Sequence, residues 1–139
     1  LGASSELKLL VVEDNRVNQM VAIGVLTNLG LAAETVNNGV EAIAKLRNGG
    51  VPSQQPSYDL VLMDCQMPEM DGYEATRLIR QGMAGEQNIN IPIVAMTANA
   101  MKGDREKCID AGMDDYLTKP IKPAQVKSIV TKWLTLEYQ

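Results

Sequence analysis

Lys8-Leu-Leu-Val-Val-Glu-Asp14 is the stretch that decides the fold. A short, unalternating apolar run passes directly into two carboxylates. Such a run suits a strand buried on both faces, as in a parallel sheet covered by helices. The same punctuation returns along the chain: Leu60-Val-Leu-Met63 runs into Asp64, Ile93-Val-Ala-Met96 into Thr97, and Tyr116-Leu-Thr118 into Lys119. In an open parallel sheet these strand ends lie side by side, and ligands bind in the crevice outside them. The expectation is one shallow pocket that gathers Glu13, Asp14, Asp64, Thr97 and Lys119. Carboxylates, a hydroxyl and an ammonium together suit holding a divalent cation and taking a phosphoryl group onto an aspartate.

Between the strands lie segments of helical length. Asn15 to Leu29 is a helix stopped by Gly30, and Ala32 to Val36 reads as a weaker, edge-like second strand. Gly39 to Arg47 is a helix with Val40, Ile43, Ala44 and Leu46 on its apolar side, followed by a Gly- and Pro-containing loop over 48–57. After Pro68, Asp71 and Glu74 form a capping-box pattern that opens a helix to about Gln81, and a polar loop covers 82–90. A helix from about Gly103 to Ala111 ends at Gly112, and Pro123 opens a last helix to about Leu134. Strands alternating with helices in this way imply an α/β fold, a doubly wound parallel sheet with right-handed crossovers. There is no internal repeat and no low-complexity tract.

A chain of 139 residues is most simply one domain. Only 4% of residues are aromatic and none is Phe, so the core must be built from Leu, Ile, Val, Met and Ala. A net charge of −4 gives no general footprint for nucleic acid. No run approaches the roughly 20 apolar residues of a membrane span, and no secretory signal precedes the first strand. Cys65 and Cys108 make no disulfide framework, and without His there is no zinc site; buried reduced thiols, and hence a cytoplasmic setting, are expected. Residues 1–6 read as a linker or processing scar, 7–134 as the domain and 135–139 as a tail, which suggests a piece of a longer protein. With no histidine, any phosphohistidine donor must belong to another chain or another domain.

Five segments in order carry a specific resemblance: Val11-Val-Glu-Asp-Asn15, Leu62-Met-Asp-Cys-Gln-Met-Pro68, Met70-Asp-Gly72, Met96-Thr-Ala-Asn99 and Tyr116-Leu-Thr-Lys-Pro120. Together they resemble a response-regulator receiver domain over residues 7 to 134. The resemblance implies a flavodoxin-like (βα)5 fold with strand order 2-1-3-4-5, and Asp64 as phosphoacceptor. It implies Mg2+, with Mn2+ a possible substitute, held by Asp14, Asp64 and the backbone carbonyl of Gln66, with Glu13 acting largely through water. The bland reading of Glu13 and Asp14 is that they cap the first helix. Lys119 is expected to pair with Asp64 and later with a phosphoryl oxygen, aimed inward by a cis bond to Pro120. Thr97 and Tyr116 match the family's switch pair, and Gln66 and Asn99 flank the path of a hydrolytic water.

The first helix carries more apolar surface than one buried face needs. Val21, Val25 and Leu29 should face the sheet, leaving Val17, Met20 and Gly24 as a second stripe. That stripe is either a broad core face or a docking surface, and the family's helical, histidine-bearing phosphotransfer partners dock on this helix and its neighbouring loops. The wording of residues 13–19 and 96–104 is similar to receivers fused to hybrid sensor histidine kinases. The expected partners are thus a histidine kinase core or a histidine phosphotransfer protein, with no nucleic acid and no membrane for this domain. The alternatives are a stand-alone single-domain regulator and a receiver cut from a regulator with its own output domain. Two other classes fit poorly. A haloacid-dehalogenase-like phosphatase needs a second Asp two residues after its nucleophile, where Gln66 stands, and a flavodoxin-like carrier needs a Ser/Thr/Gly-rich loop after the first strand. A receiver that never carries phosphate would be expected to have lost a pocket residue.

Overall fold

In a computed structural model the described residues are 8–49, 58–65, 67, 70–98, 102–119 and 121–135. Strands β1 (Lys8–Val12), β2 (Ala32–Val36), β3 (Leu60–Asp64), β4 (Ile93–Thr97) and β5 (Asp115–Thr118) alternate with helices α1 (Arg16–Asn28), α2 (Gly39–Gly49), α3 (Gly72–Arg80), α4 (Lys102–Ala111) and α5 (Pro123–Thr135). All pairings are parallel and the order is β2-β1-β3-β4-β5, as expected. From β1 the chain adds β2 on one side and then β3, β4 and β5 on the other, so β1 and β3 flank the switch point where such sheets bind ligands.

The apolar runs do what continuous hydrophobicity requires: every residue of β3 and β4 is buried, whereas edge strand β2 buries only Val36. Side chains alternate across the sheet. Leu10, Val12, Val61, Met63, Ile93 and Ala95 pack under α2, α3 and α4; Leu9, Val11, Leu60, Leu62, Val94 and Met96 pack under α1 and α5. Aliphatic residues fill both layers, and Tyr58 joins the first of them as a buried aromatic.

Four sequence expectations shift. On α1 the buried residues are Ala22, Val25 and Leu26, while Val21 is 44% exposed and Leu29 half-buried. At 100° per residue the stripe 22, 25, 26, 29 is the i, i+3, i+4, i+7 face, and Val21 falls beside it. On α2, Ala42, Ile43 and Leu46 are buried but Val40 and Ala44 are exposed, for the same reason. The 82–90 loop contains a turn of 3-10 helix, Glu86–Asn88. Asn88 is buried there and donates from Nδ2 to the carbonyls of Leu46 and Ala84, which fastens the loop to the end of α2. Helix α2 also runs on through Asn48 and Gly49, which were expected to open a loop, and the rest of that expected loop, 50–57, lies outside the described residues.

The end of the sheet away from the crevice is closed by Arg80. Its guanidinium donates to the carbonyls of Gly112, Ile89 and Ile91 and to Asp114 Oδ2, which also accepts from the Ile93 N–H. One planar fork thus ties α3 to the loops before β4 and β5, which holds the strands in register beneath the crevice.

Candidate functional site

The C-terminal ends of β1, β3, β4 and β5 bring the predicted residues together. Asp64 is the last residue of β3 and Thr97 the last of β4; both are buried, and Lys119 follows β5 directly. The Lys119 N–H donates to the Thr97 carbonyl at 2.7 Å, extending the β4–β5 ladder by one step beyond the strand. The Lys119 ammonium lies 2.9 Å from Asp64 Oδ2 and 3.2 Å from Glu13 Oε1. It bridges two buried carboxylates, where the sequence reading gave it Asp64 alone.

Glu13 is 1% exposed. Its Oε2 accepts from the Asn15 N–H at 3.0 Å, so both of its oxygens have partners. Asp14 is exposed at the rim, yet carboxylate oxygens of Glu13, Asp14 and Asp64 all lie within 4.8 Å of one another. These carboxylates do not cap the helix by side-chain bonds to its first turn. The N-cap is Asn15, whose Oδ1 accepts from the Asn18 N–H. The donor set is all hard oxygen, partly buried and open on one side at Asp14, which fits a hydrated divalent cation better than a soft metal.

Among the described residues, three carboxylates against the Lys119 ammonium leave local negative charge in excess. Burial works against the Lys119 charge, but Asp64 and Glu13 outweigh it, so its pKa is held above the usual lysine range. The ammonium is therefore fixed in its charged form across the physiological range.

Tyr116 is half-buried on β5 and packs against the α2–α3–α4 layer. Its hydroxyl accepts from Arg105 Nη1 at 3.4 Å, and the guanidinium stands 5.8 Å from the ring centroid. Cys65 is 2% exposed, and burial pushes its thiol up to about 12; Cys108 is also buried and raised, foremost by burial. Both are packing residues as expected, protonated at neutral pH. Val17 and Met20 are 66% and 67% exposed, and Gly24 is exposed beside them. Gln66, Asn99 and Pro120 lie outside the described residues. Residue-type reading passed over Gln19, whose side-chain amide donates to the Glu13 carbonyl at 2.6 Å. A neutral amide in a helix gives no sequence signal of that kind.

With this geometry in view, likeness to known proteins is informative. The response regulator receiver domain profile matches residues 9–131. The chain is 41% identical over 129 residues to hybrid signal transduction histidine kinase L of Dictyostelium discoideum, a match that takes in 91% of this chain but 7% of that protein. It is 43% identical, with a TM-score of 0.79, to the receiver domain of sensor histidine kinase PA1611 from Pseudomonas aeruginosa, solved with a magnesium ion in its active site cleft; 93% of this chain and 98% of that one are covered. It is 29% identical, with a TM-score of 0.81, to a chain in the complex of the Saccharomyces cerevisiae phosphotransfer protein Ypd1 with the receiver domain of Ssk1, covering 95% of this chain and 91% of that one. By fold, profile and kinship, the chain belongs to the response-regulator receiver domains.

Proposed function

We propose that this domain accepts a phosphoryl group on Asp64 from a phosphohistidine in a two-component phosphorelay. The observation that carries the reading is the trio of carboxylates within 4.8 Å, spanned on one side by Lys119 at 2.9 and 3.2 Å. Asp14, Asp64 and the carbonyl of Gln66 would hold Mg2+ (or Mn2+), with Glu13 oriented by the Asn15 N–H and reaching the ion through water. When bound, the cation neutralises phosphoryl oxygens so that a carboxylate can approach them.

The chain's own residues do the rest. A carboxylate oxygen of Asp64 forms a bond to phosphorus as the P–N bond to the donor imidazole breaks, and the electron pair leaves with the imidazole. The Lys119 ammonium, released from Asp64 Oδ2, pairs with a phosphoryl oxygen, and the Thr97 hydroxyl turns to donate to another. Movement of Thr97 opens room for Tyr116, whose outward contact with Arg105 is given up, and the population shifts between two states. By resemblance to the family, Gln66 and Asn99 are assigned the tuning of how long the phosphorylated state lasts, and Pro120 a part in aiming Lys119 and in docking the partner.

Val17, Met20 and Gly24, joined by exposed Val21, form an apolar stripe beside the pocket. Its occupant is a helix of a histidine-bearing phosphotransfer protein or kinase core, by likeness to a receiver solved with such a protein. Because the chain spans 7% of a hybrid kinase relative, we read it as the receiver of a hybrid sensor histidine kinase, acting in the cytoplasm and touching neither nucleic acid nor membrane itself. No helix among the described residues is long and apolar enough to cross a membrane.

The test is labelling by acetyl phosphate with and without EDTA, followed by borohydride trapping and peptide mass spectrometry. Label is expected only with Mg2+ or Mn2+ present and only on Asp64; label on another carboxylate, or equal label in EDTA, would overturn the reading. For the stripe, Met20→Glu is expected to slow transfer from a phosphohistidine partner at least tenfold while acetyl-phosphate labelling stays within about twofold, a desolvated charge at an interface being costly. Parallel losses in both assays would exclude docking as the cause.

A further inference from the structure

Gln19 closes the first turn of α1, with its side-chain amide against the acidic loop. Nε2 donates one hydrogen to the Glu13 backbone carbonyl at 2.6 Å and the other to Asn37 Oδ1 at 2.9 Å. Asn37 in turn donates from Nδ2 at 3.2 Å and from its backbone N–H at 2.8 Å, both to Glu41 Oε1 on α2. The direction of this chain is fixed at both ends, because a carbonyl and a carboxylate can only accept. Neither amide can flip without setting acceptor against acceptor. On its other side, the Glu13 N–H donates to the Val36 carbonyl at the end of β2. Both peptide groups that flank Glu13 are therefore pinned.

Consecutive residues tend to send their side chains in divergent directions, yet Glu13 and Asp14 both present an oxygen to one point shared with Asp64. Mutual repulsion would push the Glu13–Asp14 loop outward whenever no cation is bound, and among the described residues the ammonium that pairs with Glu13 and Asp64 is that of Lys119. We propose that Gln19, braced by Asn37 and Glu41, is a positioning residue for the metal site: it holds the acidic loop in its ligating shape against that repulsion. The inference rests on the metal reading above. The network links the end of β1, α1, the β2–α2 loop and α2, and none of its side chains belongs to the carboxylate trio.

The consequence is a metal affinity that depends on a neutral amide outside the ligand set. Mn2+ binding to the whole chain, followed by EPR of the free ion, tests it with wild type, Asp64→Ala, Gln19→Leu, Asn37→Ala and the double variant, alongside metal-free melting temperatures. Gln19→Leu is expected to raise the Mn2+ Kd roughly three- to tenfold, somewhat below the usual cost of losing a partner of a direct ligand. Asn37→Ala should give a smaller rise, and the double variant should be no weaker than Gln19→Leu, since both act along one path. Metal-free melting temperatures within about 3 °C of wild type are expected, because one partly buried and one exposed hydrogen bond each contribute little net stability. If Gln19→Leu binds Mn2+ as wild type does while Asp64→Ala binds weakly, positioning is overturned and the metal reading stands. If wild type binds no Mn2+, or Asp64→Ala binds it equally, the metal reading falls and takes this one with it. Loss of binding that tracks a large drop in melting temperature makes Gln19 a structural strut and also overturns the proposal.

Discussion

Asp64→Ala is expected to abolish phosphate labelling by acetyl phosphate and Mg2+, with no shifted band in a phosphate-affinity gel, while the domain stays folded. The fold survives because the substitution relieves crowding. Asp64 is buried beside Glu13 and Asp14, and its removal leaves Lys119 paired with Glu13 at 3.2 Å. Without metal, two carboxylates near one ammonium are less strained than three, so the metal-free melting temperature should hold or rise. Lys119→Ala makes the informative contrast. It removes the cation from two buried carboxylates, so the metal-free protein should melt lower and Mg2+ should bind more tightly. Labelling should nonetheless slow by about 10²- to 10³-fold, the usual cost of deleting one group that stabilises charge in a transition state. Opposite movements of metal affinity and rate separate a phosphoryl-contacting lysine from a mere surface ion pair. A shifted band retained in Asp64→Ala, or tighter metal binding with an unchanged rate in Lys119→Ala, would sink the assignment.

Much of this pocket was legible because two levels of the sequence agree. Apolar runs fix which residues are strand, and a parallel sheet puts every strand's C-terminal end at one edge; Asp64 at the end of β3 and Thr97 at the end of β4 follow from run length alone. Capping chemistry was equally local: Asp71 Oδ1 accepts from the Glu74 N–H, as the Asp-x-x-Glu spacing predicts. What escaped were contacts whose partners lie far apart in sequence. Arg80 reads as an ordinary basic residue in the last turn of α3, yet it reaches Gly112 and Asp114, more than thirty positions on. Asn88 reads as loop, yet it is buried against the end of α2. Gln19 meets Asn37 across an interval of 18 residues. Helical phase was the other weak point. Val21 and Val25 are both apolar at i, i+4, and only packing decides that Ala22 and Leu26, not Val21, complete the buried face. A small residue such as Ala22 carries little hydrophobic signal but lets α1 approach the sheet closely.

The second large effect concerns a glycine, and it reports on how α3 is seated on the strand that carries Asp64. Gly72 begins α3, and its N–H donates to the Cys65 carbonyl at 3.2 Å. A Cβ placed there would stand 2.2 Å from the Asp64 carbonyl oxygen, 2.9 Å from Met63 Cγ and 3.0 Å from the Asp64 carbonyl carbon. The Met63 side chain could move, but the Asp64 backbone is paired with Met96 of β4 and closes a strand held between β1 and β4. Gly72→Ala must therefore displace either the helix start or the strand end that carries Asp64. Destabilisation of about 3 kcal/mol is expected, as for a core overpacked against backbone, which lowers the melting temperature by roughly 10 °C. Gly24→Ala supplies the control within the same chain, since nothing lies within 4 Å of its added Cβ and its site is an exposed helix interior. That variant should gain about 0.5 to 1 kcal/mol from lost glycine entropy alone. Below its melting temperature Gly72→Ala should also label more slowly than wild type, because a shifted β3 end moves Asp64 relative to Asp14 and Lys119. Wild-type stability in Gly72→Ala would mean that α3 does not rest on the Asp64 peptide, and the tight seating of α3 on the end of β3 would be refuted.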